Sequence, residues 1–190
     1  MNRIARRRSK IAALGAALLV ITGAAGSAAA SREGDGGAPR EAAAPREAAA
    51  LTGTAKLYRP AGDDITFSFD VHLAAKDTMD PEKAYGTFSF SHYVNGKGGW
   101  AKAKVDCLVT GGKVAVVTGV VTESDTPFKG KRVGITVHDQ GRHDRLGYSW
   151  ITKEVYDELP RCMGSAPFET VKRGTGDFEV LPWKPEYPQR

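Results

Sequence analysis

Residues 138–145 read His-Asp-Gln-Gly-Arg-His-Asp-Arg, the densest run of chemically capable side chains in the 190-residue sequence. Two imidazoles, His138 and His143, and two carboxylates, Asp139 and Asp144, within eight positions could ligate a divalent metal or hold an acid and a base close together. The spacing fits a solvated turn better. Asp139 and Gly141 are turn formers, Asp144 can cap or pair with Arg142 or Arg145, and His138 alternates onto the wet face of the strand it ends. His138, Asp139, His143 and Asp144 therefore stand as a candidate contact loop for a small ligand or partner, with no catalytic or metal-ligating residue assigned.

The remaining histidines divide by face. His92 alternates onto the apolar side beside Phe90, where a core imidazole hydrogen-bonded to backbone is expected and a pH switch or ligand contact is the rival role. His72 falls on a polar face, where an exposed imidazole is ordinary. The sequence has no G-x-S-x-G elbow, H-E-x-x-H, P-loop, C-x-x-C, dinucleotide fingerprint or EF-hand loop, so no cofactor is expected.

Charge must be read after a segment is set aside. Arg3, Arg6, Arg7, Arg8 and Lys10 precede an apolar run at 11–23, about thirteen residues and short for a bilayer span. Ala28-Ala29-Ala30 follows, so residues 1–30 read as a signal peptide cleaved before Ser31, and the mature chain as secreted. Those thirty residues hold five basic and no acidic side chains; the whole chain has 27 Lys+Arg against 22 Asp+Glu, so the remainder balances at 22 against 22. A neutral mature protein lacks the electrostatics for a nucleic-acid or anionic-membrane partner. The expected partner is an unidentified ligand or extracellular protein, met by a monomer.

Two cysteines, Cys107 and Cys162, remain in the exported part. An even count in an oxidising compartment favours a disulfide; a buried free Cys107 with an unrelated Cys162 is the alternative.

The elements that must position these groups are strands. Residues 31–50 carry PREAAA twice and almost no large apolar side chain, which reads as a flexible spacer ahead of a domain at 51–181. Ile65, Phe67, Phe69, Val71 and Leu73 alternate with polar residues, as do Phe88, Phe90, His92 and Val94, with Asn95-Gly96 as the turn that follows. Residues 100–121 read as a hairpin folded at Gly111-Gly112, placing Val109 opposite Val114, Cys107 opposite Val116 and Val105 opposite Thr118, with Cys107 on the core face. Further strands are expected at 131–138, at 146–151 with Tyr148 and Trp150, and at 176–181. Residues 152–175 lack periodicity beyond one helical turn near 155–159. About eight short strands without a long amphipathic helix make an all-β antiparallel domain, barrel-like or sandwich, with closure favoured because it removes exposed edges. A Pro-rich tail at 182–190 follows, with Trp183 and Tyr187 packing along the sheet or loose.

At VDCLVTGGKVAVVTGVV, RVGITVHDQGRHDRLGYSW and GTGDFEVLPW the chain resembles small exported bacterial all-β proteins sometimes labelled repetin, over roughly Leu51 to Trp183. The resemblance implies export and a single β domain; that group has no established activity, so it transfers no catalytic residue. The function expected is a secreted, non-enzymatic β domain that binds a small molecule, a cell-wall component or another protein. The alternative is an extracellular hydrolase or metal-dependent enzyme using the 138–145 loop.

Overall fold

The alternation of Ile65, Phe67, Phe69, Val71 and Leu73 produces β2 (Asp64–Ala74), every one of those side chains being buried. In the computed structural model, residues 46–149 and 159–184 are described; the expected signal peptide, most of the expected spacer, Trp150, the turn expected near 155 and the tail beyond 184 lie outside them. The described strands are β1 (Glu47–Lys56), β2, β3 (Tyr85–Val94), β4 (Lys97–Gly111), β5 (Val114–Ser124), β6 (Arg132–His138), β7 (Arg145–Tyr148), β8 (Glu169–Thr170) and β9 (Asp177–Leu181). They form a single antiparallel sheet in the order β8-β7-β6-β5-β4-β3-β2-β1-β9, curled into a half-barrel. The sandwich alternative is thereby dropped.

The concave face is filled by side chains. The Phe67 ring lies 5.9 Å from that of Phe90 and 5.8 Å from that of Tyr148, and Phe69 meets Phe178 edge-on at 5.3 Å. Leu51, Ile65, Val117, Ile135 and Leu146 close around them. A fully buried Phe contributes about 2 kcal/mol by area and its aromatic pairs somewhat more, so this stack dominates the core. On the outer face His72 stacks on Tyr85 and sits between Glu47 and Asp70, at 2.6 and 2.8 Å. Burial alone would lower its pKa; the carboxylates outweigh that and raise it.

Three expectations need correction. β1 begins at Glu47, so the last residues of the expected spacer are strand, with Ala49 and Ala50 buried. Pairing with β2 from Glu47 on, joined by β9 at Ala50, draws in a segment whose small side chains offer little apolar area. The long hairpin turns at Gly112-Lys113, since Gly111 pairs with Val114, and the register becomes Val109 opposite Val116 and Cys107 opposite Thr118. Gly112 supplies the left-handed φ of 56°. Finally, Asp106 is an extra residue between the Val105–Gly119 and Cys107–Thr118 pairs, a β-bulge that reverses the alternation. Leu108 thus takes the core position, Val109 is exposed, and Cys107 leaves the core face while remaining fully buried.

What buries Cys107 is a strap, residues 159–166, laid across the convex face of β5–β7. The strap's backbone passes so close that a Cβ at Gly134 would lie 2.1 Å from the Met163 carbonyl oxygen, and one at Gly147 2.0 Å from that of Ala166. Its anchors converge on the bulge. Cys162 is disulfide-bonded to Cys107 and donates its N–H to Thr118 Oγ1 at 3.1 Å. Thr118 donates to Asp106 Oδ1, Arg132 donates to Asp106 Oδ2, and Arg132 also donates to the Leu159 carbonyl. The expected disulfide is therefore present, on the opposite side of the sheet from the one anticipated. Because it closes a separation of 55 residues, a Cys107→Ser/Cys162→Ser protein should lose up to about 4 kcal/mol of stability. Urea unfolding of oxidised wild type against that variant measures it, and the strap amides should lose hydrogen-exchange protection before the concave core does.

Candidate functional site

The 138–145 loop connects β6 to β7, and the structure brings its two carboxylates to the edge of β9. Asp144 is fully buried; its Oδ2 accepts the Phe178 N–H at 2.8 Å and its Oδ1 the Gln140 N–H at 2.7 Å. Asp139 Oδ2 accepts the Val180 N–H at 3.1 Å and the Lys113 ammonium at 2.8 Å, while Oδ1 accepts from Gly141. These are the N–H groups on the side of β9 turned away from β1, and the side chains stand where a neighbouring strand would supply carbonyls. Next to them, residues 170–172 join the far end of the sheet to β1 through the Leu57–Val171 bridge and the bonds Tyr58 N–H to Thr170 O and Lys172 N–H to Lys56 O. Loop and bridge together stitch the half-barrel along one seam.

The seam sets opposite directions for the two acids. Burial alone would push Asp139 up, but Lys113 and the N–H groups of Val180 and Gly141 outweigh it and hold its pKa below the usual carboxylate range. Asp144 is raised, by its burial first; the N–H groups of Phe178 and Gln140 pull it down without cancelling that, and a hydrogen bond with Asp177 adds to the rise. His138 closes β6, half-buried and paired in register with Val114 and Arg145. His143 is exposed and its Nε2 accepts from Arg173 at 2.7 Å. Of the four candidate residues, then, the two aspartates hold the fold, and His143 alone among them lines a cleft. Among the described residues no group of three or more His, Cys, Asp or Glu side chains could hold a metal ion.

A second place was missed by sequence reasoning. At the mouth between β3, β4 and the 124–128 loop lies a cleft of about 260 Å³ lined by Phe90, His92, Trp100, Thr126, Phe128 and Tyr148. His92 is not the backbone-bonded core residue expected: its Nε2 lies 3.0 Å from the Asp63 carboxylate and its side chain is 43% exposed. Alternation does place it inward, but the position is the last inward one before the mouth, where water reaches it. Trp100, 39% exposed, is held by its backbone: the N–H donates to Asp125 Oδ1 at 2.7 Å and the carbonyl accepts from Ser124 Oγ at 2.8 Å. Gly99 has no Cβ to block Thr126 and Asp125 from folding over it. On the opposite wall Arg59 bridges Glu169, bidentate, and the Tyr148 hydroxyl at 2.8 Å. Burial raises the Tyr148 pKa, which keeps the phenol neutral. The signal available in the sequence was Gly98-Gly99-Trp100, an aromatic beside two glycines at a strand start.

At the other mouth Trp183 packs down, its backbone N–H donating to Thr110 Oγ1 at 2.7 Å and its indole N–H to Thr78 Oγ1 at 3.0 Å. That packing of Trp183 agrees with the expectation for it. No protein-family model matches the chain, and no curated protein or solved structure matches it.

The seam has a measurable consequence. Asp139→Ala leaves the Val180 N–H and the Lys113 ammonium without their acceptor and should cost about 2 kcal/mol at pH 7. Since a depressed folded pKa stabilises above the unfolded value and the gain is lost as pH falls through the folded one, the difference from wild type should vanish below the ordinary aspartate range near pH 3.8. Chemical unfolding of both proteins across pH 2 to 7 tests this.

Proposed function

We propose that this domain is an exported, monomeric binding module rather than an enzyme, and that it takes a small ring-bearing molecule at the mouth cleft. The observation that carries the reading is Trp100, its backbone anchored by Asp125 and Ser124, standing 39% exposed beside the apolar cleft. An aromatic face on an anchored backbone gives stacking energy with only the two side-chain torsions left to order. About 260 Å³ sits just under the span usual for drug-sized ligands, room for one ring rather than a long chain. Among the described residues the phenylalanine stack fills the concave face, which leaves the mouth as the place for a guest. His92 with Asp63 at the rim supplies a polar group to orient the guest.

Export rests on the basic and apolar pattern of residues 1–30, and the Cys107–Cys162 bond is compatible with an oxidising compartment. Among the described residues no helix is long and apolar enough to cross a membrane. The likeness to the small exported β proteins labelled repetin belongs to the same proposal. The hydrolase alternative built on residues 138–145 is disfavoured because Asp139 and Asp144 each give one oxygen to β9 and the other to a backbone N–H of their own loop.

A ligand-observed NMR screen of monocyclic aromatic and sugar-ring compounds against the full chain should return binders, and Trp100→Ala should weaken them about tenfold, a stacking loss near 1.4 kcal/mol. Binders whose affinity is the same in Trp100→Ala would place the site elsewhere.

A further inference from the structure

The cleft that His143 lines runs along the outside of the seam and measures about 560 Å³. Its charged lining is Arg142, His143, Arg173 and Asp177, from the β6–β7 loop on one side and the β8–β9 connection on the other. Arg173 Nη2 lies 2.7 Å from His143 Nε2. A guanidinium only donates, so the imidazole accepts at Nε2. This is an unusual use of an arginine in this protein: Arg59 faces Glu169, Arg132 faces Asp106 and Arg161 faces Glu82. Among the described residues neither Arg142 nor Arg173 enters an ion pair. Asp177 is the one carboxylate of the lining, and it makes no ion pair with either arginine.

Two guanidinium groups outside any ion pair thus share one cleft with an imidazole that accepts from one of them. Gly141 and Gly174, at φ 66° and 74°, border it with open space where a side chain would otherwise begin. We propose that this cleft binds the phosphate group of a small molecule, its oxygens bridging Arg142 and Arg173. One planar fork satisfies a carboxylate's two oxygens; a second fork calls for an anion with a third oxygen and a second charge, which a phosphate monoester has. His143 is a positioning residue: by accepting from Arg173 it holds that guanidinium against the cleft. The site is independent of the mouth cleft and of Trp100.

The test uses inorganic phosphate with the full chain, followed by ¹H–¹⁵N spectra at constant ionic strength. Saturable shifts of the Gly141, Arg142 and Gly174 amides are expected, with Arg142→Ala and Arg173→Ala each weakening binding about tenfold. Both side chains are at exposed positions, so melting temperatures should not change, and His143→Gln, which keeps an acceptor for Arg173, should bind better than His143→Ala. Shifts that sodium chloride reproduces, or that persist in the Arg142→Ala/Arg173→Ala protein, would overturn the proposal. So would binding to phosphatidylcholine vesicles containing phosphatidic acid without any response to inorganic phosphate, which would make the surface a membrane contact.

Discussion

A β-strand at the edge of a sheet leaves every second N–H without a partner, and β9 faces that problem with β1 on one side only. Asp139 and Asp144 solve it from the β6–β7 loop, with carboxylate oxygens in place of strand carbonyls. The rest of the molecule depends on this substitution. Without it β9 would lie on β1 with an open flank, and Phe178, whose ring meets Phe69 in the centre of the stack, would be held from one edge alone. The solution also explains why a buried acid is tolerated at Asp144: two backbone donors take its oxygens.

The second organising feature is that β4 serves two layers. Up to Val105 its inward residues line the concave face; beyond the bulge at Asp106 the sense reverses, Leu108 and Thr110 turn inward, and Cys107 turns to the strap. One inserted residue thereby provides both a sulfur for the covalent anchor and a carboxylate for Thr118 and Arg132. The convex face of β6, which would otherwise be wet, is covered, and Val133, Ile135 and Val137 share burial with Gly134 and Thr136 on the other side. The strap turns a one-sided antiparallel sheet into a locally two-sided one.

Much of the fold was legible because it follows period-two alternation. Tyr85–Val94 is strand over the bounds that its alternation marks, and Asn95-Gly96 is the two-residue turn, with Val94 facing Lys97. The bulge was not legible: nothing in KVDCLV marks Asp106 as extra, since the residues on either side alternate plausibly in both registers. β8 has two residues and no pattern to offer. The roles of Asp139 and Asp144 were hidden because their partners lie 41 and 34 positions away, on backbone rather than on a side chain that a motif could name. For the same reason a loop that looks chemical in one dimension is largely architectural in three, while Trp100, Arg142 and Arg173, read as a strand start and as loop charges, line the exposed clefts proposed as binding sites.

The position of β1 between β2 and β9 sets an order of events. Its pairing with β2 is local, joining residues such as Lys56 and Thr66, whereas its pairing with β9 joins Leu51 to Val180 across almost the whole domain. Among the described strands β1 cannot complete its ladder until β9 has been made, and contacts of such long range are slow to form. The end of the sheet that carries Phe178 into the aromatic stack is therefore closed by the longest-range pairing among the described strands.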